Sequence, residues 1–129
     1  MNGERLLLDS HVALWWLIDG AELGPGSRSQ ISTAGEVFFS PASTWELGIK
    51  KALGRLVMPE GLAEELVRCG FIELPITCAH AAIAAALPLH HRDPFDRMLI
   101  AQAIAEALTL VTADDAIAAY RVDVLSARA

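Results

Sequence analysis

The sequence feature that most constrains this chain is the segment from His90 to Ala107, which predicts the start of a helix and places a charge on its apolar face. Asp93 followed by Pro94 predicts an N-cap with proline at the first helical position, where its missing N–H and fixed φ cost nothing. The apolar stripe of this predicted helix carries a single charge, that of Asp96. The stripe consists of Asp96, Leu99, Ile100, Ala103 and Ala107. An ionised carboxylate on a core-facing stripe is unfavourable unless a cation or a donor meets it, and we expect a metal ion to do so.

Length and composition predict one ordinary globular domain that spans residues 1–129, with 53% hydrophobic and 20% charged residues. The formal net charge of −6 argues against a protein that holds nucleic acid by bulk electrostatics, because such proteins normally show a basic excess. Any role toward nucleic acid must therefore be local or must use cations. No apolar run reaches the ~20 residues of a membrane span, so we expect a cytoplasmic protein with no membrane partner.

The cysteines and the histidines carry no metal-binding pattern. Cys69 and Cys78 lack metal-type spacing, and we expect them to be buried, reduced thiols. The spacing of His11, His90 and His91 matches no zinc site, which favours ring packing or surface exposure. Helical spacing likewise favours a core position over a base-stacking role for the three tryptophans. These tryptophans are Trp15, Trp16 and Trp45.

Short β-rich runs alternate with helical patterns along the chain, and this alternation predicts an α/β domain with a mostly parallel sheet. In open sheets of this class, ligands bind outside the carboxyl ends of the strands. The predicted strands cover 5–8, 36–39, 71–74, 108–112 and a weak edge strand at 122–125. The predicted helices cover 10–18, 27–34, 41–53, 60–69, 94–107 and 116–120. Ser10 is the predicted cap of the first helix, and Thr77 is the predicted cap of a further, Ala-rich helix that ends before Pro88.

Four acids from four separate segments are predicted to converge. Asp9 and Asp114 follow predicted strands, where ligands collect in sheets of this class. Glu46 resembles Asp96 in being the only charge on an otherwise apolar helical stripe. The other members of that stripe are Ala42, Ile49 and Leu53. We expect these four carboxylates to form one site.

Each of the four acids also has a purely structural interpretation. Asp9 could hydrogen-bond amides at the start of the first helix, and Asp114 could be an N-cap. Glu46 could complete a capping box with Ser43, or could pair with Lys50 one turn later. Asp96 is the hardest to explain in this way, because Asp93 already serves as the predicted cap of that helix.

An all-carboxylate cluster suits hard divalent cations such as Mg²⁺ or Mn²⁺, which bridge to substrate phosphates. The chemistry that follows is hydrolysis of a phosphodiester, with the carboxylates holding metal rather than acting as nucleophiles. Five cations near the predicted cluster are weak candidates for RNA contacts, although a solvated helix face is an equal alternative. They are Lys50, Lys51, Arg55, Arg92 and Arg97.

Four motifs, in this order and spacing, resemble the PIN-domain ribonucleases, specifically the VapC-type toxins of type II toxin–antitoxin systems. They are Asp9-Ser10-His11, Ser43-Thr44-Trp45-Glu46, the His90 to Ala103 block, and Val111-Thr112-Ala113-Asp114. The resemblance implies a three-layer α/β/α sandwich around a small, mostly parallel sheet of four to five strands. It also implies that the four acids are the catalytic residues and form the Mg²⁺ or Mn²⁺ site.

The resemblance further implies an endoribonuclease with an RNA substrate, a homodimer, and a cognate antitoxin that covers the active site. Ser10 and Thr112 are possible additional site residues, with Ser10 standing where threonine is more usual in the family. Asp115 beside Asp114 leaves open which of the two faces the metal. The alternative function is a PIN-like module that binds RNA or protein and regulates without cleavage. Loss of an acid would have signalled that alternative, and none is lost.

Overall fold

The computed structural model describes residues 3–129, which leaves the first two residues of the predicted domain outside it. A five-stranded sheet in the order β3-β2-β1-β4-β5 forms its centre, and each of the four strand pairings is parallel. This arrangement confirms the predicted α/β class. The strands are β1 (Arg5–Leu8), β2 (Glu36–Phe39), β3 (Ile72–Glu73), β4 (Thr109–Thr112) and β5 (Val124–Ser126).

Helices cover both faces of the sheet, as the alternation of strands and helical patterns predicts. They are α1 (Ser10–Ile18), α2 (Pro25–Thr33), α3 (Pro41–Ala52), α4 (Leu62–Arg68), α5 (Cys78–Ala86), α6 (Pro94–Glu106) and a short 3-10 helix (Asp115–Ala119). No helix among residues 3–129 is long and apolar enough to cross a bilayer.

Two hydrophobic clusters, one on each face of the sheet, hold the layers together. Successive side chains of a strand point to opposite faces, so Leu6 and Leu8 of β1 enter one cluster while Leu7 enters the other. The first cluster also contains residues of α1, α2 and α4, and the second contains the buried stripe of α6. The central strand is thus apolar on both faces, as expected for a strand of a covered parallel sheet.

The boundaries of the predicted elements differ from the observed ones mostly at helix ends. Asp9, and not Ser10, is the N-cap of α1, because its carboxylate accepts a hydrogen bond from the His11 N–H at 2.9 Å. The second helix begins at Pro25 and not at Ser27, since proline at the first helical position needs no N–H acceptor. The last predicted helix is a 3-10 helix that begins one residue earlier than expected.

Two expectations about burial were wrong. Cys69 and Cys78 are free thiols but exposed, because each lies at the end of a surface helix. Trp45 is 67% exposed and packs edge-on against Phe95, whereas the other two tryptophans are half-buried against the core.

The predicted apolar stripe of α3 is also buried only in its first half. Ala42 and Glu46 are buried, but Ile49 and Leu53 are exposed, since the later turns of α3 extend past the core. The last member of the stripe on α6, Ala107, is likewise exposed, because the helix ends at this residue in a left-handed cap.

Candidate active site

A cleft of about 280 Å³ lies beyond the carboxyl ends of β1 and β4 and collects the four predicted acids. Asp9 directly follows β1, and Asp114 lies two residues after β4. Glu46 projects from the second turn of α3, and Asp96 from the first turn of α6. The lining residues are Asp9, His11, Glu46, Lys50, Asp93, Asp96, Ala113 and Asp114.

Parallel pairing of β1 with β4 fixes the carboxylate of Asp9. Thr112 Oγ1 donates to Asp9 Oδ2 at 2.6 Å, and the His11 N–H donates to Oδ1 at 2.9 Å. Asp9 is only 8% exposed, and this burial raises its pKa above the ordinary value even though the hydrogen bond from Thr112 acts to lower it. The Asp9 carboxylate is therefore held in a fixed orientation and is largely shielded from solvent.

A second hydroxyl fixes Glu46, which is 6% exposed. Ser10 Oγ donates to Glu46 Oε1 at 2.6 Å, and Ser43 Oγ lies 3.0 Å from the Ser10 oxygen. Lys50 Nζ lies 3.2 Å from Glu46 Oε2, which is one of the two structural interpretations that the sequence left open for this acid. The alternative capping box with Ser43 is wrong, because Ser40 caps α3 and Ser43 lies inside the helix.

The other half of the cleft is organised by a histidine. His91 Nε2 lies 2.9 Å from Asp96 Oδ2 and 2.9 Å from Asp114 Oδ2, and these three residues could hold a metal ion together. Burial, together with the negative charges of Asp93, Asp9 and Glu46, raises the pKa of Asp96 to about 7. Desolvation acts to lower the pKa of His91, but the hydrogen bond to Asp114 and the charge of Asp96 raise it above its ordinary value.

His91 is a residue of the cleft that the sequence did not predict, because its spacing favours ring packing or surface exposure. The usable signal was the position of His91 two residues before the N-cap of the helix that bears Asp96. That cap is Asp93, as predicted: its carboxylate accepts hydrogen bonds from Phe95 N–H at 2.8 Å and Asp96 N–H at 3.3 Å.

The two neighbouring aspartates after β4 take different positions. Asp114 lines the cleft, and its second oxygen, Oδ1, accepts a hydrogen bond from the Ala116 N–H, which caps the 3-10 helix. Asp115 is exposed on that helix. Asp114 therefore combines the predicted site position with the predicted capping role, and it is the one of the two that faces the other acids.

Only Lys50 among the five predicted RNA-binding cations lines the cleft in the described part of the chain. Lys51 pairs with Glu60 at 2.6 Å, and both Arg55 and Arg92 are exposed. The guanidinium of Arg97 is directed at backbone carbonyls before α6 and away from the cleft.

The donor set of the cleft fits a hard divalent cation. Carboxylate oxygens from four segments line a cleft of about 280 Å³. The basic side chains beside them, Lys50 and the imidazoles of His11 and His91, are fewer than the carboxylates. Burial raises the pKa of two of these acids, Asp9 and Asp96, and the neighbouring carboxylates raise that of Asp96 further. Oxygen ligands of this kind are those that Mg²⁺ and Mn²⁺ prefer.

Comparison with known proteins gives consistent matches across the chain. The family model of the PIN domain matches residues 6–123. The ribonuclease VapC22 of Mycobacterium tuberculosis is 35% identical over 124 residues, which cover 90% of this chain and 92% of that protein.

Solved structures share the fold at low sequence identity. A VapBC2 complex of Rickettsia felis bound to a promoter DNA fragment superposes with a TM-score of 0.68 at 12% identity, covering 94% of this chain and 97% of that one. A toxin–antitoxin complex of Klebsiella pneumoniae gives a TM-score of 0.68 at 15% identity, covering 95% and 97% of the two chains.

Proposed function

Because this chain belongs to the PIN domain family, we propose that it is a metal-dependent endoribonuclease toxin whose residues 1–129 form a single catalytic domain. The observation that carries the proposal is the convergence of four carboxylates, from four separate segments, on one cleft. Two of them are buried and held by hydroxyl groups of neighbouring elements. Such an arrangement is costly for folding alone, and is explained by a ligand that the acids bind together.

Asp9, Glu46, Asp96 and Asp114 would hold Mg²⁺ or Mn²⁺ in this proposal. A bound ion of this kind lowers the pKa of a coordinated water and offsets charge on the phosphate during hydrolysis. The protein's own contribution is orientation. Hydrogen bonds from Ser10 and Thr112 would keep two of the four carboxylates in fixed rotamers before any substrate arrives.

Positive side chains on and just after α3 would attract the RNA backbone. Lys50 lies at the cleft itself, and we assign weaker phosphate contacts to Lys51 and Arg55, which follow it in the sequence. Charge reversal at Lys51 or Arg55 should weaken RNA binding and reduce its dependence on salt concentration, while metal affinity is roughly kept. Charge reversal at Lys50 should weaken RNA binding as well, but it also changes the charge beside Glu46 and is no control for metal affinity. An unchanged salt dependence would assign these residues to an ordinary solvated surface.

A cognate antitoxin is proposed to cover the cleft of a homodimeric toxin. Similar folds were solved as toxin–antitoxin complexes, and an acidic cleft favours an inhibitory segment that inserts an arginine or a lysine. A complex whose inhibitory segment places no cation in the cleft would contradict this part of the proposal.

The decisive experiment uses the full chain, freed of any partner, with single-stranded RNA. We expect cleavage with Mg²⁺ or Mn²⁺ and none in excess EDTA. Glu46→Gln should abolish cleavage, whereas Glu60→Gln, which changes an exposed glutamate outside the cleft, should not. Persistent cleavage in chelator would overturn the metal mechanism, and tight RNA binding without cleavage under any metal would favour the binding-module alternative.

A further inference from the structure

The segment just before α6 is fixed by two side chains that bond to its backbone. The hydroxyl of Tyr120 donates to the Pro88 carbonyl at 2.8 Å and accepts from the His91 N–H at 2.8 Å. The guanidinium of Arg97 donates to four backbone carbonyls of the same region. These are the carbonyls of Ala84 (2.8 Å), Leu87 (2.9 Å), Pro88 (3.0 Å) and His91 (3.2 Å). The backbone of His91 is therefore held on both its N–H and its carbonyl side.

The ring of His91 has a defined tautomer in this arrangement. The Asp93 N–H donates to His91 Nδ1 at 3.3 Å, so the proton of a neutral ring resides on Nε2. Nε2 lies 2.9 Å from a carboxylate oxygen of Asp96 and 2.9 Å from one of Asp114. A protonated Nε2 donates to carboxylates and offers no lone pair to a metal ion. His91 thus uses the same oxygens that a cation would use.

We propose that His91 is a placeholder, a donor that bridges Asp96 and Asp114 in the metal-free protein and that competes with a divalent cation for their oxygens. Arg97 and Tyr120 are the positioning residues that present it. The inference rests on the metal site proposed above. His91 should stabilise the metal-free protein by reducing repulsion between the two acids, and it should lower cation affinity, because its hydrogen bond must be broken when a cation binds.

The opposite role for His91, that of a nitrogen ligand, makes the opposite prediction. Imidazole is a good ligand for Mn²⁺ and later transition metals, so removal of a ligand would weaken binding. The sign of the change in Mn²⁺ affinity therefore distinguishes the placeholder from the ligand.

The test measures Mn²⁺ binding by calorimetric titration and thermal unfolding in EDTA, without RNA, for the parent, His91→Ala, Tyr120→Phe and Arg92→Ala. We expect His91→Ala to bind Mn²⁺ several-fold more tightly than the parent and to melt at a lower temperature in EDTA. Tyr120→Phe, which removes one hydroxyl, should shift both quantities in the same direction by less. Arg92→Ala controls for the loss of a nearby positive charge, and its exposed side chain should matter little.

Several results would overturn the inference. Weaker Mn²⁺ binding by His91→Ala would make His91 a ligand, and a change equal to that of Arg92→Ala would reduce its role to long-range charge. If Tyr120→Phe bound Mn²⁺ like the parent, Tyr120 would not position the ring. A parent that binds no Mn²⁺ would refute the metal site and this inference together, whereas Mn²⁺ binding without RNA cleavage would refute only the proposed activity.

Discussion

Two histidine–carboxylate pairs lie at opposite ends of α6 and are almost identical in local geometry. His91 Nε2 lies 2.9 Å from Asp96 at the first turn, and His80 Nε2 lies 2.8 Å from Glu106 at the last residue. In each pair, Nδ1 of the ring accepts a hydrogen bond from the backbone N–H of a residue that caps a helix. The tautomer is therefore the same in both.

The surroundings of the two pairs differ. His80 is 1% exposed, and its partner Glu106 lies at a helix C-terminus, where the helix dipole disfavours a negative charge and a donor is needed. His91 faces a second acid, Asp114, and a cleft that contains more. Among residues 3–129, His91, Asp96 and Asp114 form the only group of three His, Cys, Asp or Glu side chains whose ligand atoms all lie within 4.8 Å of one another. A close contact between a histidine and one carboxylate is therefore not by itself evidence of a functional site. The distinguishing feature of His91 is that two acids share its ring nitrogen.

The sharpest test of the contrast changes each carboxylate to its amide. Asp96→Asn should lower RNA cleavage by orders of magnitude, because it removes a proposed metal ligand, whereas Glu106→Gln should leave cleavage near the parent value. In EDTA, Asp96→Asn should melt no lower than the parent, since it relieves desolvation and repulsion. Added Mg²⁺ should raise the melting temperature of the parent and of Glu106→Gln but not of Asp96→Asn. Equal loss of cleavage in both variants would contradict the assignment of only Asp96 to the active site.

Removal of the buried histidine should affect stability far more than chemistry. His80→Ala leaves the Thr77 N–H without its acceptor and opens a cavity, which together should cost about 2–3 kcal/mol of unfolding free energy. Denaturant unfolding gives the loss, and the cleavage rate at a temperature where the variant is folded should match the parent. A fully stable His80→Ala with reduced cleavage would give the second pair a role in the site.

The caps beside the two histidines should behave alike in stability. Thr77→Ala and Asp93→Ala each remove a side chain that accepts from helix-start amides, so each should cost about 1 kcal/mol of unfolding free energy. Much of the cleavage activity should survive in both variants. If Asp93→Ala were inactive but fully stable while Asp96→Asn stayed active, the roles of the two aspartates would be the reverse of those assigned here.

A further contrast is a pH dependence of stability that only the cleft pair should show. The pKa of Asp96 is raised from 3.8 to about 7, so the folded protein binds more protons than the unfolded chain between these values. The raised pKa of His91 acts with the same sign at higher pH. The metal-free parent should therefore lose stability as the pH rises from about 4 to about 7. Asp96→Asn should flatten the melting temperature against pH in EDTA, and Glu106→Gln should not.

Features that depend on local pattern were predictable from the sequence. The periodicity and the Asp93-Pro94 start predict α6, and the single charge on each apolar stripe points to Asp96 and Glu46. The position of His91 was not predictable in this way. Its backbone N–H bonds to Tyr120, 29 residues later, and its ring contacts Asp114, 23 residues later. Such contacts leave no periodic signal in the sequence.

The exposure of some side chains could not be predicted from the sequence for a related reason. The exposed position of Trp45 depends on where α3 leaves the core, and a helical stripe does not show where its covering partner ends. The exposed thiols follow from the same limit, because the ends of a short surface helix depend on neighbours distant in sequence.

The central pairing of β1 with β4 has a consequence during synthesis. Asp9 takes its position from residues made more than a hundred positions later, since its N–H donates to the Val111 carbonyl at 3.0 Å and its carboxylate accepts from Thr112. At ~5–20 residues per second, a growing chain carries Asp9, Glu46 and Asp96 for a time without the strand that brings them into register. The cleft that we propose as the nuclease site is therefore complete only after the fourth acid and its strand have been made, and a shorter nascent chain lacks it.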